Sequence, residues 1–540
     1  MGKAFQLKNS IVFYFLVGFG CIFALGIREV HLFDLDELYF AEITREMIRT
    51  GHYGQVTFNF EPLYEKPPFF FWLQAVSMHL WGINELGARF PNLVCGLLTL
   101  ATVYYIGKQY KDQWFGFLWM CLYATAFLPH FYFKSAIIDP FFNYFLLLAI
   151  YFLSHRIMPS NPWLYGGSGL SIGFGLLTKG PIALIIPLAT LGLSYTWFKR
   201  SMVPFKSLVV ALLIATMVLS CWLIPEICSN GCTFIKKFWD YHLLLYHQPV
   251  HTHDQPWYYH YLVLFFGCFP SALFAIFILK QKRLIQDSYF AANMQALLAV
   301  VLLIFTLVGT KIVHYSAMAY FPITFFATCF LHQQIYNRQY IRSDMAFLFL
   351  VIGVIIGSAL ALIPCIMLHK TLWITFVQNQ TIKDALHVSV IWNYWDSMPG
   401  IVYTIGIGTA YYFLLQSRYI PFISNIALIN ICILALFLIR IAPKVEAYTQ
   451  KPMVDFCKAC KGKSLYLATI GFKSAAPLFY ADLPKSLRIA DTNWLLEGPI
   501  DKPCFFILYK KDSAILKNYL DITYIKSSGC FAFYKRLPKA

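Results

Sequence analysis

Apolar runs of about 17 to 22 residues, the length a helix needs to cross a bilayer core, recur along the chain. They lie near residues 11–30, 88–107, 113–131, 139–155, 163–178, 181–198, 207–225, 257–279, 290–309, 315–332, 345–367, 398–415 and 420–440. The pattern predicts about thirteen transmembrane helices. Between the runs, polar positions gather in loops of unequal length. One set of short loops carries Lys108 and Lys111; Arg156; Lys199, Arg200 and Lys206; Lys280, Lys282 and Arg283; Arg338 and Arg342; and Arg418. Lysine and arginine concentrate in short loops on the cytoplasmic side, so the N-terminus is expected there, with the run after Ile11 a retained signal-anchor. The long loops, 31–87, 226–256, 368–397 and everything after about residue 441, then share the external face.

Two shorter patterns mark the first external loop. In DLDELYFAEITREM, residues 34–47, Leu38, Ala41, Ile43 and Met47 mix with Glu37, Glu42, Arg45 and Glu46. That spacing suits a short helix at the membrane surface, N-capped by Asp34 or Asp36. Residues 69–81 are apolar but too few to span comfortably, and Pro67 and Pro68 precede them. They read as an interfacial or re-entrant helix. After residue 441, short apolar stretches such as SLYLATI and PCFFILYK alternate with polar turns and predict strands. The expected architecture is an all-α polytopic membrane domain, residues 1–440, followed by a small external α/β soluble domain, residues 441–540. Cys457, Cys460, Cys504 and Cys530 of that domain sit in a disulfide-permissive compartment and are expected to pair, with three connectivities open.

Composition agrees with this picture: 59% apolar and 18% aromatic residues with a mean hydropathy of +0.59 lie far outside the soluble range. The formal charge of +17 is absorbed by topology and by attraction to membrane lipids. The chain has no basic module interleaved with aromatics, so nucleic acid is not an expected partner.

Candidate chemistry collects at the external ends of the spans. Three acids, Asp36, Glu65 and Asp139, face several cations: Lys66, Lys179 and Lys311, with histidines nearby. Lys179 is the sole charge in a long apolar region, where an ionisable group is costly and marks function. Transfer from a lipid-phosphate donor needs both kinds of group. Cations neutralise the departing phosphate, and a carboxylate positions the acceptor or takes its proton. An intramembrane lysine also marks translocation paths, so a lipid-linked-sugar transporter or flippase is the competing class. One-sided clustering of the charges counts against it. The histidine-rich loop 238–261 includes His251, His253 and Asp254, a partial zinc set without a strong zinc spacing.

The ordered set D36-E37-x-x-x-A41-E42-x-x-R45-E46-M47, Y64-E65-K66-P67-P68, G87-A88-R89-F90-P91 and K311-x-x-H314-Y315 resembles the bacterial aminoarabinose transferase and protein O-mannosyltransferase superfamily. These are GT-C class integral membrane glycosyltransferases. The resemblance spans roughly residues 11–440 and implies an inverting enzyme of the bacterial inner membrane using a polyprenyl-phosphate sugar. The expected acceptor is lipid A, another envelope glycolipid, or a protein. It implies Asp36 as the catalytic carboxylate and Asp139 as the second acidic position. Lys66, Tyr315, Lys311, His247 and Lys179 are the expected donor-phosphate contacts. Glu37, Glu65, Arg45, Arg89 and His314 are expected to bind substrate or hold structure. No cofactor is implied as required, although Glu65 and His242 match positions that bind zinc in a relative. The sequence departs from the aminoarabinose transferases at Tyr39 and Phe40, where an arginine–tyrosine pair is usual, and at His247, which aligns with an arginine. Lost guanidinium groups remove bidentate phosphate contacts, so sugar and acceptor stay open.

Overall fold

In the computed structural model, residues 9–154, 162–198, 203–247, 255–279, 288–337, 340–489 and 491–538 are described. The protein is a helical bundle with a four-stranded sheet near its C-terminus. The predicted apolar runs are largely helical in their described parts, the first only as far as Ala24. Among the described residues, six helices are individually long and apolar enough to cross a membrane: Glu85–Tyr110, Phe205–Asn230, Tyr289–Leu307, Ser343–Leu368, Tyr394–Leu415 and Tyr419–Tyr448. Asn9–Ala24, Asp139–Ser154 and Ile182–Phe198 are apolar but shorter. The 257–279 run is two helices, Tyr259–Gly267 and Ser271–Leu279, bent by 113°. The 113–131 run breaks at Ala126 into Gln113–Thr125 and Phe127–Tyr132.

Around Lys179 the chain forms two helices, Pro162–Lys179 and Ile182–Phe198. Gly180 between them has φ +79°, which a side chain rarely adopts. A Cβ there would stand 2.5 Å from the Phe238 ring. The turn therefore requires glycine, and it leaves Lys179 at a helix end.

Both short helices form, Asp36–Thr50 and Phe69–Trp81, but the first does not lie on an open surface: Glu37, Glu42, Arg45 and Glu46 are buried along with its apolar residues. A two-residue hairpin, β1 (Thr57–Phe58) with β2 (Glu61–Pro62), lies between them. The N-cap expectation is overturned. Leu35 occupies that position at φ 79°, with no side-chain cap. Asp34 turns away because its Oδ1 accepts from the Leu35 and Ala475 amides, and Asp36 is already the first helical residue.

The C-terminal sheet comprises β3 (Tyr466–Ile470), β4 (Cys504–Tyr509), β5 (Ile522–Ser528) and β6 (Phe531–Arg536), in the order β3-β4-β6-β5. β3 and β4 are parallel and the other pairs antiparallel. The parallel crossover, residues 471–503, carries the helices Ala476–Ala481 and Thr492–Glu497. This unit shares an apolar core with the first loop: Leu32, Leu38, Ala41, Met78 and Ala88 pack in one cluster with Val454, Phe479, Leu496 and Phe506. The helix Tyr419–Leu436 continues through a π turn, Phe437–Ile441, into Ala442–Tyr448. Residue 440 thus lies inside a continuous helical rod.

The expected disulfides are absent. All fourteen cysteines are unpaired, and Cys457, Cys460, Cys504 and Cys530 are buried within the apolar packing of the sheet unit. Each serves there as a small apolar side chain. Burial raises the pKa of all four thiols.

Candidate active site

The five acids of residues 34–47 have separate fates. Glu37 is buried and receives Arg89 in a fork: Nε–Oε1 is 3.0 Å and the second guanidinium bond, to Oε2, is 2.7 Å. The Phe33 and Ala136 amides also donate to it. Arg89 further donates to the carbonyls of Ile27, Val30 and His31. This pair ties the end of the first helix to Glu85–Tyr110, and every contact is internal. Glu42 and Glu46 are buried against Arg45 and Arg488. Arg45 donates to Glu42 at 2.6 Å and Arg488 donates to Glu42 and Glu46 at 2.7 and 2.9 Å. Arg45 also binds Asp482 and the carbonyls of Leu478 and Phe479.

Asp36 stays open, with its side chain 43% exposed. His314 lies beside it, with Nε2 3.3 Å from Asp36 Oδ2 and 3.9 Å from Asp139 Oδ2. Asp139, the first residue of the helix Asp139–Ser154, is buried and accepts from Lys179 at 2.5 Å. The Lys179 ammonium lies 5.0 Å from the centre of the Tyr315 ring and 5.5 Å from that of Phe142, within cation–π range. Residues far apart in sequence thus converge because one side of the bundle collects the ends of their helices.

A second group adjoins. Glu65 accepts the Tyr241 hydroxyl, and burial raises its carboxyl above the usual range against the pull of Lys66. Burial, reinforced by the charge of Lys179, pushes the Lys66 ammonium down. Lys66 lies 6.0 Å from the Tyr241 ring centre. Lys311 is buried at the neighbouring helix end, its Nζ 3.5 Å from the Gly309 carbonyl. The site therefore offers the partly exposed carboxylate of Asp36 beside a group of cations.

A family model described as dolichyl-phosphate-mannose-protein mannosyltransferase matches residues 65–224. The chain is 26% identical over 250 residues to an undecaprenyl phosphate-alpha-4-amino-4-deoxy-L-arabinose arabinosyl transferase of Erwinia tasmaniensis, covering 44% of each. It is 24% identical over 275 residues to the enzyme of the same name from Pectobacterium carotovorum, covering 49% of this chain and 48% of that one. The match thus spans about half the length of these curated relatives. The crystal structure of ArnT from Cupriavidus metallidurans bound to undecaprenyl phosphate superposes with a TM-score of 0.78 at 15% identity, covering 98% of both chains. The chain is thus similar to these glycosyltransferases over part of its length and shares the ArnT fold over nearly all of it. Its helical bundle and C-terminal sheet are the GT-C fold seen in ArnT.

Within this GT-C fold the expected site residues divide. Asp36, Asp139, Lys179, His314 and Tyr315 meet, with Glu65 and Lys66 adjoining. Glu37, Arg45 and Arg89 are committed to internal contacts. His247 ends the helix Thr233–His247, but its side chain lies outside the described residues, as do His251, His253 and Asp254. His242 turns Nδ1 to the Phe238 carbonyl at 2.8 Å. No cluster of three or more histidine, cysteine or acidic side chains suited to a metal occurs among the described residues. Tyr241 and Arg488 escaped the sequence reading. Tyr241 was legible as a polar aromatic two positions after Trp239, on a helix with an apolar stripe. Arg488 had no local signal.

Proposed function

We propose that the protein is an inverting GT-C glycosyltransferase that moves a sugar from a polyprenyl phosphate to an acceptor hydroxyl on the side of the long loops. One observation carries the proposal: a partly exposed carboxylate, Asp36, stands 3.3 Å from a histidine that also faces the buried Asp139–Lys179 pair. Asp36 accepts the acceptor's hydroxyl proton as its oxygen attacks the anomeric carbon, and the bond from that carbon to the phosphate oxygen breaks on the opposite face. The polyprenyl phosphate leaves with the bonding pair, and Lys66, Lys179, Lys311 and His314 offset its charge. Asp139 is a positioning residue that fixes Lys179. The acceptor is lipid A or another envelope glycolipid, and the membrane is a bacterial inner membrane with the C-terminal sheet unit on the periplasmic side. The names of the relatives and their 24–26% identity support this reading.

The test is transfer by purified protein in detergent, with radiolabelled polyprenyl-phosphate sugars and extracted envelope lipids. Wild type is expected to form labelled product, and Asp36→Asn to lose at least about a hundredfold in turnover, the scale of a missing general base, with an unchanged melting temperature. Undiminished transfer by Asp36→Asn sinks the assignment of this carboxylate. Absence of product from every donor with wild type sinks the transferase reading.

A further inference from the structure

A second cation stands over an apolar cavity elsewhere in the molecule. This cavity, of about 390 Å³, is lined by Trp395, Met398, Pro399, Leu436 and Arg440. It shares no residue with the Asp36 cluster. Met398 and Pro399 begin one apolar helix, Met398–Leu415, and Leu436 ends the next, Tyr419–Leu436. The cavity therefore lies between the start of one apolar helix and the π turn at which the next passes into Ala442–Tyr448. Tyr394 and Trp395, 67% and 71% exposed, are the residue types that favour a membrane interface.

The charge there does not balance. Asp396 is fully buried; Lys444 forms a short ion pair with its Oδ2, and the Asn393 amide donates to the same oxygen at 2.9 Å. Arg440 reaches the other oxygen only at 3.5 Å, and its side chain is 47% exposed. The three charged groups thus carry a surplus of one positive charge. Arg440 belongs to the π turn Phe437–Ile441, a distortion that accompanies functional positions in helices. Its guanidinium offers free donors beside four apolar lining residues.

We propose that this cavity binds a resident anionic phospholipid, whose phosphate pairs with Arg440 and whose first acyl carbons lie against Trp395, Met398, Pro399 and Leu436. An apolar lining with one planar cation suits an amphiphile better than a free anion, and guanidinium matches phosphate in a bidentate manner. The site is independent of the transfer reaction.

The test is native mass spectrometry of the full chain in detergent, titrated with dioleoyl phosphatidylglycerol, dioleoyl phosphatidylcholine or inorganic phosphate. Wild type is expected to take up one phosphatidylglycerol ahead of the rest and to melt at a higher temperature with it. Arg440→Gln is expected to bind it about tenfold more weakly or worse, the loss of a charge-assisted hydrogen bond. Trp395→Ala, which keeps the cation and removes the apolar wall, is expected to weaken the same event. Lys108→Gln, at a helix end outside the site, leaves it unchanged. Both site variants must match wild type in elution and in lipid-free melting temperature. Equal uptake of phosphatidylglycerol by wild type and both variants overturns the proposal. So does equal binding of phosphatidylcholine, or a shift of the same size with inorganic phosphate alone.

Discussion

Asp36 and Glu37 are neighbours in sequence with different fates. Successive helical residues point roughly 100° apart, so Asp36 faces His314 while Glu37 turns to Arg89. The sequence supplied the acids and their external position, but not this sorting, because the deciding partners lie 52 and 278 residues away. The Asp139–Lys179 pair can be tested by cycle. Removing one member of a buried pair strands the other charge, a loss of about 3 to 5 kcal/mol, whereas removing both is far milder. Lys179 is 18% exposed, so the low end of that range applies. Asp139→Asn and Lys179→Met are each expected to lower the melting temperature more than the double variant does. All three are expected to transfer poorly. Singles that melt no lower than the double would show that the two groups are not coupled.

The Asp36 helix shows how far pattern reading carries and where it stops. Its amphipathic spacing was legible, as were the short helix after Pro68 and the strands of the tail. Its attachment was not: Glu42 and Glu46 meet Arg488 across 446 and 442 residues, and no local pattern encodes such a contact. The same blindness misassigned Asp34 and the cysteines, whose roles depend on packing between the first loop and the tail. The buried cluster of Glu42, Arg45, Glu46 and Arg488, with Asp482 and Arg49 at its edge, also predicts a pH dependence. Burial, with Glu42 beside it, pushes the Glu46 carboxyl up to about 7 from 4.5, against Arg488 and the Phe60 amide. The folded state then binds more protons than the unfolded chain between these values, so stability falls as pH rises through that window. Melting temperature is expected to drop between pH 4.5 and 7, and Glu46→Gln is expected to flatten that part of the profile. Arg488→Gln is expected to destabilise at every pH by loosening the helix that carries Asp36. A wild-type profile that rises across the window would contradict this account.

At the scale of the molecule, the long loops and the tail gather on one side. Glu446 receives His31, Gln450 bonds the Asp34 amide and the Leu32 carbonyl, and Tyr480 donates to Glu85. On the opposite side Asp112 caps its helix and meets His332, near the helix ends that carry Lys108 and Lys111. Because lysine and arginine concentrate in short loops on the cytoplasmic side, the loop-rich side is expected to face outward. Cysteine chemistry reads this directly. Cys232 is exposed in the turn between Phe205–Asn230 and Thr233–His247, on the loop-rich side, whereas Cys457, Cys460, Cys504 and Cys530 are buried thiols whose raised pKa suppresses the reactive thiolate. A membrane-impermeant maleimide added to intact spheroplasts is expected to label the protein, and Cys232→Ser to remove most of that label. The four buried thiols are expected to react only after denaturation, and a reducing agent to leave the melting temperature unchanged, since none of them is paired. Label that depends on Cys232 but appears only after permeabilisation would place the loop-rich side in the cytoplasm. The Asp36 site would then open toward the cytoplasm, and an acceptor confined to the periplasm would be excluded.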